Sequence, residues 1–212
     1  MIKIDLHIHT KYSKDSISSI EDIIKKCKEN NLIPAITDHD SIEAINYIKK
    51  NFPDFKFIPG IEVKTKQGEI IGLFCTKKIP LGLTTKKTIE LIHKQNGLAI
   101  AVHPFAKYRK GLNNTELIKM CDIIEIFNSR STIEENKEAE EFAKNHKMNT
   151  CVGSDAHFTF EIGNTYQEME NFKNSKDFLK KLKKAKFKTK YSPIYVHGTT
   201  TIIKYYKKIR GQ

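Results

Sequence analysis

Histidines and carboxylates recur in a few short motifs of this 212-residue sequence, where they could bind metal ions. His7 and His9 lie two residues apart in IDLHIHT, so in a strand both side chains point to the same face. Such a pair alone fits a polar edge strand equally well. His39 in TDHD, His103 in AVHP and Asp155 in GSDAH extend the pattern. Imidazole and carboxylate ligands without a thiolate are typical of Mn, Fe or Zn sites.

Alternating strand and helix patterns would position these side chains. The sequence predicts strands at 2–9, 32–38, 56–65, 69–75, 98–103, 122–128 and 148–155, and helices at 18–30, 41–50, 85–95, 115–121 and 133–146. Ser18 with Glu21 predicts a capping box for the first helix, and Ser41 predicts the cap of the second. Repeated βα units predict an α/β fold with a sheet that is open or closed into a barrel, where strand ends converge on one mouth.

Composition and charge place limits on the class of protein. No apolar run approaches the roughly 18 residues needed to span a bilayer, and the start shows no secretion signal, so we expect a cytoplasmic protein without a membrane partner. The four cysteines are scattered among apolar residues and are predicted to be buried thiols. The net charge is +12, and twelve Lys or Arg against one Asp lie from Lys176 onward. That segment fits either a solvated helix face or a polyanion contact.

The motifs DLHIHT, TDHD, GIE, HP and GSDAH, in this order, resemble those of the PHP (polymerase and histidinol phosphatase) family. The resemblance covers about residues 1–165 and implies a distorted (β/α)7 TIM-like barrel with its metal site at the C-terminal ends of the strands. It also implies two or three divalent ions and hydrolysis of phosphoesters through a metal-bound hydroxide. Residues 166–212 are expected to form a basic extension packed on the barrel, as in small stand-alone members.

The resemblance also implies roles for individual residues. His7, His9, Glu62 and Asp155 would surround one metal, and Glu62 would bridge it to a second ion. The full implied ligand set is His7, His9, Asp15, His39, Glu62, Glu69, His103, Asp155 and His157. The implied catalytic residues are Glu62, Asp155, His157 and Arg130. The predicted substrate contacts are Arg130, Arg109, Lys107 and Asn128, because Arg and Lys can bind phosphate oxygens.

Glu69 is a departure from the family pattern, since many relatives have histidine before the LG of the second hairpin strand. A carboxylate can replace imidazole at such metals, but a shift of one residue in register would turn Glu69 outward. We also expect Asp5, Asp38 and Asp40 to orient the imidazoles.

Three functions remain open on the sequence alone. The first is hydrolysis of a small phosphomonoester, such as histidinol phosphate or a nucleotide. The second is hydrolysis of short RNA or DNA. The third is a non-catalytic RNA-binding module, because such barrels can persist as scaffolds. The nearly complete ligand set favours a phosphoesterase acting on nucleotides or short oligonucleotides.

Overall fold

A computed structural model of the chain describes residues 1–210. Its strands are β1 (Ile2–Ile8), β2 (Leu32–Ile36), β3 (Ile58–Lys64), β4 (Glu69–Leu73), β5 (Leu98–Ala101), β6 (Ile123–Asn128), β7 (Asn149–Gly153), β8 (Tyr166–Met169) and β9 (Lys186–Lys188). Its α-helices are α1 (Ile20–Glu29), α2 (Glu43–Asn51), α3 (Thr85–Lys94), α4 (Thr115–Lys119), α5 (Ile133–His146), α6 (Ser175–Leu182) and α7 (Tyr195–Ile209). The predicted elements are therefore present, with bounds that differ by a few residues at several ends.

The strands form one sheet in the order β7-β6-β5-β4-β3-β2-β1-β8-β9. β3 and β4 form a hairpin, and β4 runs antiparallel to both β3 and β5. The sheet curls until β7 lies beside β1, where the Gln167 side chain joins them. The Gln167 amide accepts from the Val152 backbone N–H at 2.8 Å and donates to the Ile4 carbonyl at 2.9 Å. The predicted α/β fold is confirmed as a nearly closed, distorted barrel.

The boundary predicted at residue 165 lies within this one sheet. β8 pairs antiparallel with β1 on the side opposite β2, and β9 pairs with β8. Phe178 and Leu182 of α6 are buried in the core that also contains Ile4 and Leu6 of β1. Residues 166–188 thus complete the barrel instead of packing on a finished one. The sequence missed this because an edge strand added from a distant segment leaves no local signal.

Two predicted helix starts require correction. In α1 the N-cap is Ser19, whose hydroxyl accepts from the Asp22 backbone N–H at 3.1 Å, so Ser18 and Glu21 do not form the cap. Ser41 accepts from the Glu43 N–H at 3.2 Å, but the helix α2 begins after Ile42. Adjacent polar residues at a helix start make the sequence ambiguous by one residue.

β1 is buried on both faces. All its residues from Ile4 to Ile8 are buried, with Ile4 and Leu6 in one apolar cluster and Ile8 in another. The four cysteines are buried free thiols, as predicted: Cys27, Cys75, Cys121 and Cys151. Within residues 1–210 no helix is both long and apolar enough to cross a membrane.

Candidate metal centre

The strand ends surround a cavity of about 600 Å³, and a cluster of imidazoles and carboxylates lies at its inner end. The structure brings all nine predicted ligands into this one cluster, which divides into three overlapping groups of candidate ligand atoms. Two of the residues, His103 and Asp155, have positive φ angles of 31° and 53°. Such strained backbone at strand ends is common where side chains must be held for function.

The first group lies at the end of β1. The Nε2 atoms of His7 and His9 are 3.1 Å apart, and the Asp155 Oδ1 atom lies 3.4 Å and 3.3 Å from them. Glu62 of β3 closes the group, with its Oε2 atom 3.3 Å from His9 Nε2. Four donor atoms of types that bind divalent metals therefore face one point.

The second group combines Glu62 with the hairpin and β5. Glu62 Oε1 lies 3.2 Å from His103 Nε2, and candidate ligand atoms of Glu62, Glu69 and His103 all lie within 4.8 Å of one another. Glu69 is buried, and its side chain lies on the barrel interior. The register therefore turns this carboxylate toward the cluster rather than outward.

The third group lies at the mouth side of His9. Candidate ligand atoms of His9, His39 and His157 lie within 4.8 Å of one another. Asp15 joins two of these rings, with oxygens 3.4 Å from His39 Nε2 and 3.3 Å from His157 Nε2. His39 Nδ1 also lies 3.0 Å from Glu62 Oε2, so Glu62 touches all three groups.

Unpaired buried atoms test whether these residues fit metal ions. Within residues 1–210, Glu62 Oε2, Asp15 Oδ1 and His103 Nδ1 are buried and have no hydrogen-bond partner. Glu62 Oε2 is unpaired although ring nitrogens approach it to 3.0 Å and 3.3 Å, because no approach has hydrogen-bond geometry. Buried polar atoms rarely lack a partner. Bound cations would satisfy the oxygens, so the donor set fits divalent metals.

The charges in the cluster affect one another strongly. Burial opposes ionisation of Glu62, but the neighbouring His39 and His7 hold its pKa well below the usual range. Burial and the nearby Glu62 raise the pKa of Glu69. Burial and the rings of His157 and His39 lower the pKa of His9 to about 3, which leaves a neutral imidazole of the kind that binds metal.

Glu125 supports this centre and was not identified from the sequence. Its Oε1 atom lies 3.1 Å from His7 Nδ1, and its Oε2 atom accepts from the His103 backbone N–H at 2.8 Å. The motif IIEIF carries no sign of this role, because a single Glu in a strand usually faces solvent. The pairing of β6 beside β5 and β7 is what brings it under both histidines.

The three predicted orienting aspartates have other roles. Asp5 accepts from the backbone N–H groups of His7 and Ser154, at 3.3 Å and 3.0 Å. Asp38 accepts from the Ser13 hydroxyl, which lies 3.0 Å from His9 Nδ1, so it acts on a ring only through Ser13. Asp40 accepts from the Lys64 N–H at 3.0 Å. None of the three touches an imidazole in these hydrogen bonds, which corrects the prediction.

Arg130 was predicted to bind substrate and act in catalysis, but its guanidinium is already paired. It is buried and donates twice to Glu161, with N–O distances of 2.9 Å and 2.6 Å. Glu161 also accepts from the His157 backbone N–H at 3.0 Å. Arg130 therefore holds the loop that carries a candidate ligand. The sequence could not show this, because Glu161 is 31 residues away.

The other predicted substrate residues divide into two kinds. Arg109 lines the cavity and is partly exposed; its guanidinium donates to Asp155 and, at 2.7 Å, to Ser131. Asn128 is fully buried, and its amide nitrogen donates to Glu125 and Asp155 at 2.9 Å and 3.2 Å. Lys107 is exposed and does not line the cavity. The structure therefore does not support substrate contacts by Asn128 and Lys107, whereas Arg109 remains a predicted substrate contact.

Helix α7 forms one wall of the cavity, which the sequence did not predict. Its cavity-lining residues include His197, Thr200 and Lys204. Val196 and Ile203 are buried against the barrel, and the Lys207 ammonium donates to the Lys11 and Ser13 carbonyls at 2.5 Å and 2.7 Å. Nothing local in the sequence indicates that this helix docks at the end of the barrel where the candidate ligands lie.

The lysine-rich part of the basic segment lies elsewhere. Lys180, Lys181 and Lys184 line a second cavity together with Met1, which precedes β1. His7 and His9 lie at the other end of that strand. A strand of seven residues spans roughly 20 Å, so these lysines lie at the opposite end of the barrel from the metal centre.

Comparisons with known proteins give the family context of this geometry. Residues 134–187 match the family described as PHP-associated. Uncharacterized protein MJ0417 of Methanocaldococcus jannaschii is 36% identical over 173 residues, which cover 78% of this chain and 69% of that protein. The PHP-associated match ends before α7 begins.

Solved structures with low sequence identity share the fold. PsfC from Pseudomonas syringae matches with a TM-score of 0.68 and 13% identity, over 99% of this chain and 98% of its own. A two-domain protein from Bacteroides vulgatus, described as containing a predicted PHP-like metal-dependent phosphoesterase, matches with a TM-score of 0.71 and 14% identity. That match covers 89% of this chain and 65% of the Bacteroides chain.

Proposed function

This chain belongs to the PHP-domain family, and we propose that it is a metal-dependent phosphoesterase that hydrolyses phosphate esters of nucleotide size. The observation that carries the proposal is the cluster of nine candidate ligands at the inner end of one cavity. Ligand cavities of roughly 300–1,000 Å³ are typical for small molecules, and this one measures about 600 Å³.

The residues of the cluster would have different roles in such a reaction. Glu62 would be shared between ions, because its two oxygens face His103 on one side and His9 and His39 on the other. Bound Mn, Fe or Zn ions would make a water ligand nucleophilic at neutral pH and would withdraw charge from the phosphate. Arg109 lies beside Asp155 at the cavity wall, where its guanidinium can pair with phosphate oxygens.

The electrostatic balance supports an anionic substrate. Four carboxylates are candidate ligands: Asp15, Glu62, Glu69 and Asp155. Three divalent ions would exceed the charge of these carboxylates by about two, which favours an anion. Two ions would balance the carboxylates, and Arg109 and the lysines at the cavity would then make the net charge of the site positive. The placement of Lys180, Lys181 and Lys184 away from this cavity supports a small substrate over an extended nucleic acid.

A metal-by-substrate screen tests the proposal. Purified protein would be stripped with chelator, reloaded with Mn, Fe or Zn, and assayed for phosphate release from nucleoside monophosphates, sugar phosphates and short oligonucleotides. We expect hydrolysis of the small esters only after reloading, and loss of activity by at least about 100-fold in Asp155→Asn and His9→Ala. Glu138→Gln, on the exposed face of α5, is the matched control and should retain activity.

Two results would contradict the proposal. Full activity in the metal-free protein would exclude a role for the cluster in catalysis. A reloaded protein that binds metal but releases phosphate from no ester in the panel would favour a non-catalytic function.

A further inference from the structure

The outer part of the cavity is lined by basic side chains that the proposed reaction does not use. Lys14 comes from the loop after β1, Lys110 from the loop after β5, and Lys204 from α7. Three separate segments of the chain therefore bring an ammonium group to the same cavity. Arg109 also lines it, but the proposed function assigns its guanidinium, beside Asp155, to the phosphate at the metal centre.

The charges of these lysines are not neutralised by the protein around them. Within residues 1–210, none of Lys14, Lys110 and Lys204 has a carboxylate within 4 Å. Glu69 acts on Lys14 and Lys110, but its carboxylate belongs to the group with Glu62 and His103. An anion at this place would offset the repulsion between the like charges around the cavity.

A fourth lysine adds to the crowding. Lys64, at the end of β3, is a further cation near Lys110 and lowers the pKa of Lys110. Elsewhere this chain gives its buried cations partners, since Arg130 pairs with Glu161 and Lys207 with two carbonyls. The lysines at the cavity have no such partner, and Lys110 and Lys204 are exposed to the solvent in it.

The hydroxyls on the same wall do not compete for that role. Thr200 and Thr201 donate to backbone carbonyls of Val196 and His197 at 3.0–3.1 Å, so their oxygens remain acceptors toward the cavity. Recognition of an anion there falls to the lysines. The threonines can accept from a hydroxyl of a bound molecule.

We propose that Lys14, Lys110 and Lys204 form a second anion subsite, so that the substrate is a small molecule with an additional phosphate or carboxylate besides the phosphate at the metal centre. This inference rests on the proposed function for the identity of the first phosphate. The second group would be held by charge-assisted hydrogen bonds from up to three ammonium groups. A substrate with one anionic group would leave the lysines unpaired.

Non-hydrolysable probes on one ring test the subsite by binding. The probes are phenylphosphonate, 4-carboxyphenylphosphonate and 1,4-phenylenebisphosphonate, measured by calorimetry with Mn-saturated protein. We expect the bisphosphonate, the carboxyphosphonate or both to bind at least about tenfold more tightly than phenylphosphonate. Which of the two gains affinity identifies the second group as phosphate or carboxylate.

Variants assign the gain to the lysines. The triple variant Lys14→Gln, Lys110→Gln, Lys204→Gln should reduce the gain to less than about threefold. A triple control with the same loss of charge, Lys94→Gln, Lys188→Gln, Lys208→Gln, removes exposed lysines outside the cavity and should keep it. Circular dichroism checks the fold, and Lys204→Gln alone should lose part of the gain if the triple variant does not fold.

The outcomes separate this inference from the proposed function. Equal affinity of all three probes for the unmodified protein, or a gain that the triple variant retains, would overturn the subsite. Phosphate release from phenyl phosphate is measured separately. Failure of that hydrolysis together with a lysine-dependent gain would refute the phosphoesterase and leave the subsite standing.

Discussion

The substitution Glu125→Gln is a sharp test of how the barrel orients its candidate metal ligands. Glu125 is buried, and its two oxygens contact three neighbours. Oε1 lies 3.1 Å from His7 Nδ1, and Oε2 accepts from the His103 backbone N–H and from the Asn128 amide, at 2.8 Å and 2.9 Å. As an acceptor it fixes the proton of His7 on Nδ1, which leaves Nε2 free to bind metal.

Glutamine has one oxygen and one NH₂ group, so it cannot serve both sides. If its oxygen keeps the two donors His103 and Asn128, its NH₂ faces His7 Nδ1 and moves the ring proton to Nε2. If the amide is flipped, NH₂ opposes those two donors and about 1–3 kcal/mol of hydrogen bonding is lost. Either arrangement weakens His7 as a ligand. Loss of such an orienting group typically costs 10–100-fold in metal affinity, about 1.4–2.7 kcal/mol.

Equilibrium dialysis of the chelator-stripped protein against Mn or Zn, with elemental analysis, measures this affinity. We expect Glu125→Gln to lose at least about tenfold in affinity for one ion. Glu138→Gln should not change it, because that carboxylate is exposed on α5. Urea unfolding of the metal-free proteins checks that the variant is folded. A folded Glu125→Gln protein with affinity within twofold of the unmodified chain would refute the assignment of the His7 proton.

Four further predictions follow from particular contacts. Glu69→Gln should lower the number of bound ions by elemental analysis, whereas Glu69→His should retain them, because imidazole can take the same position; no change in either would exclude Glu69 as a ligand. Arg130→Met should lower the free energy of unfolding by about 3–5 kcal/mol, since it leaves Glu161 buried without its partner; native stability with a raised KM would instead indicate a substrate contact. Burial raises the pKa of Asp5 from 3.8 to about 7, so the folded protein binds the proton more tightly and loses stability as pH rises from 4 to 7. In EDTA, Asp5→Asn should therefore gain in stability relative to the unmodified chain over that range, by up to about 4 kcal/mol in urea unfolding, and a constant difference would contradict it. Replacing Lys180, Lys181 and Lys184 by Gln should leave the salt dependence of oligonucleotide binding unchanged, whereas a slope reduced by about 0.7 per lost contact would restore a nucleic-acid role.

The clustering of the candidate ligands could be predicted from sequence because each belongs to a strand end or lies close to one. His7 and His9, Glu62 and His103 follow the alternation of strands whose apolar residues are unmistakable, and parallel strand ends must meet. The buried partner of Arg130 could not be predicted for a physical reason: it pairs with Glu161, which comes from another loop. Glu125 was missed because its partners belong to β1 and to the end of β5, and only the order of strands brings them together.

The basic C-terminal segment shows why net charge alone did not locate its role. Its densest lysines, between Lys180 and Lys190, include those at the end of the barrel away from the metal centre, while Lys204 and Lys207 on α7 reach the other end. The net charge can be read from the sequence, but the role of each lysine depends on where α6, β9 and α7 place it in the fold. Of the two interpretations that the sequence left open, a polyanion contact therefore remains a hypothesis for α7 and not for the segment as a whole.

Helix α7 is held to the barrel by the same loops that carry candidate ligands. Near its start, the Ser192 hydroxyl donates to Glu161 at 2.7 Å, and Glu161 accepts from the His157 backbone N–H. Near its end, Lys207 donates to the Ser13 carbonyl, and the Ser13 hydroxyl lies 3.0 Å from His9 Nδ1. Deleting α7 would thus remove supports of His157 and His9 as well as a wall of the cavity, and lost activity would not distinguish the two effects. Substitutions on its cavity face, such as Lys204→Gln, leave both attachments in place and separate recognition of the substrate from support of the metal centre.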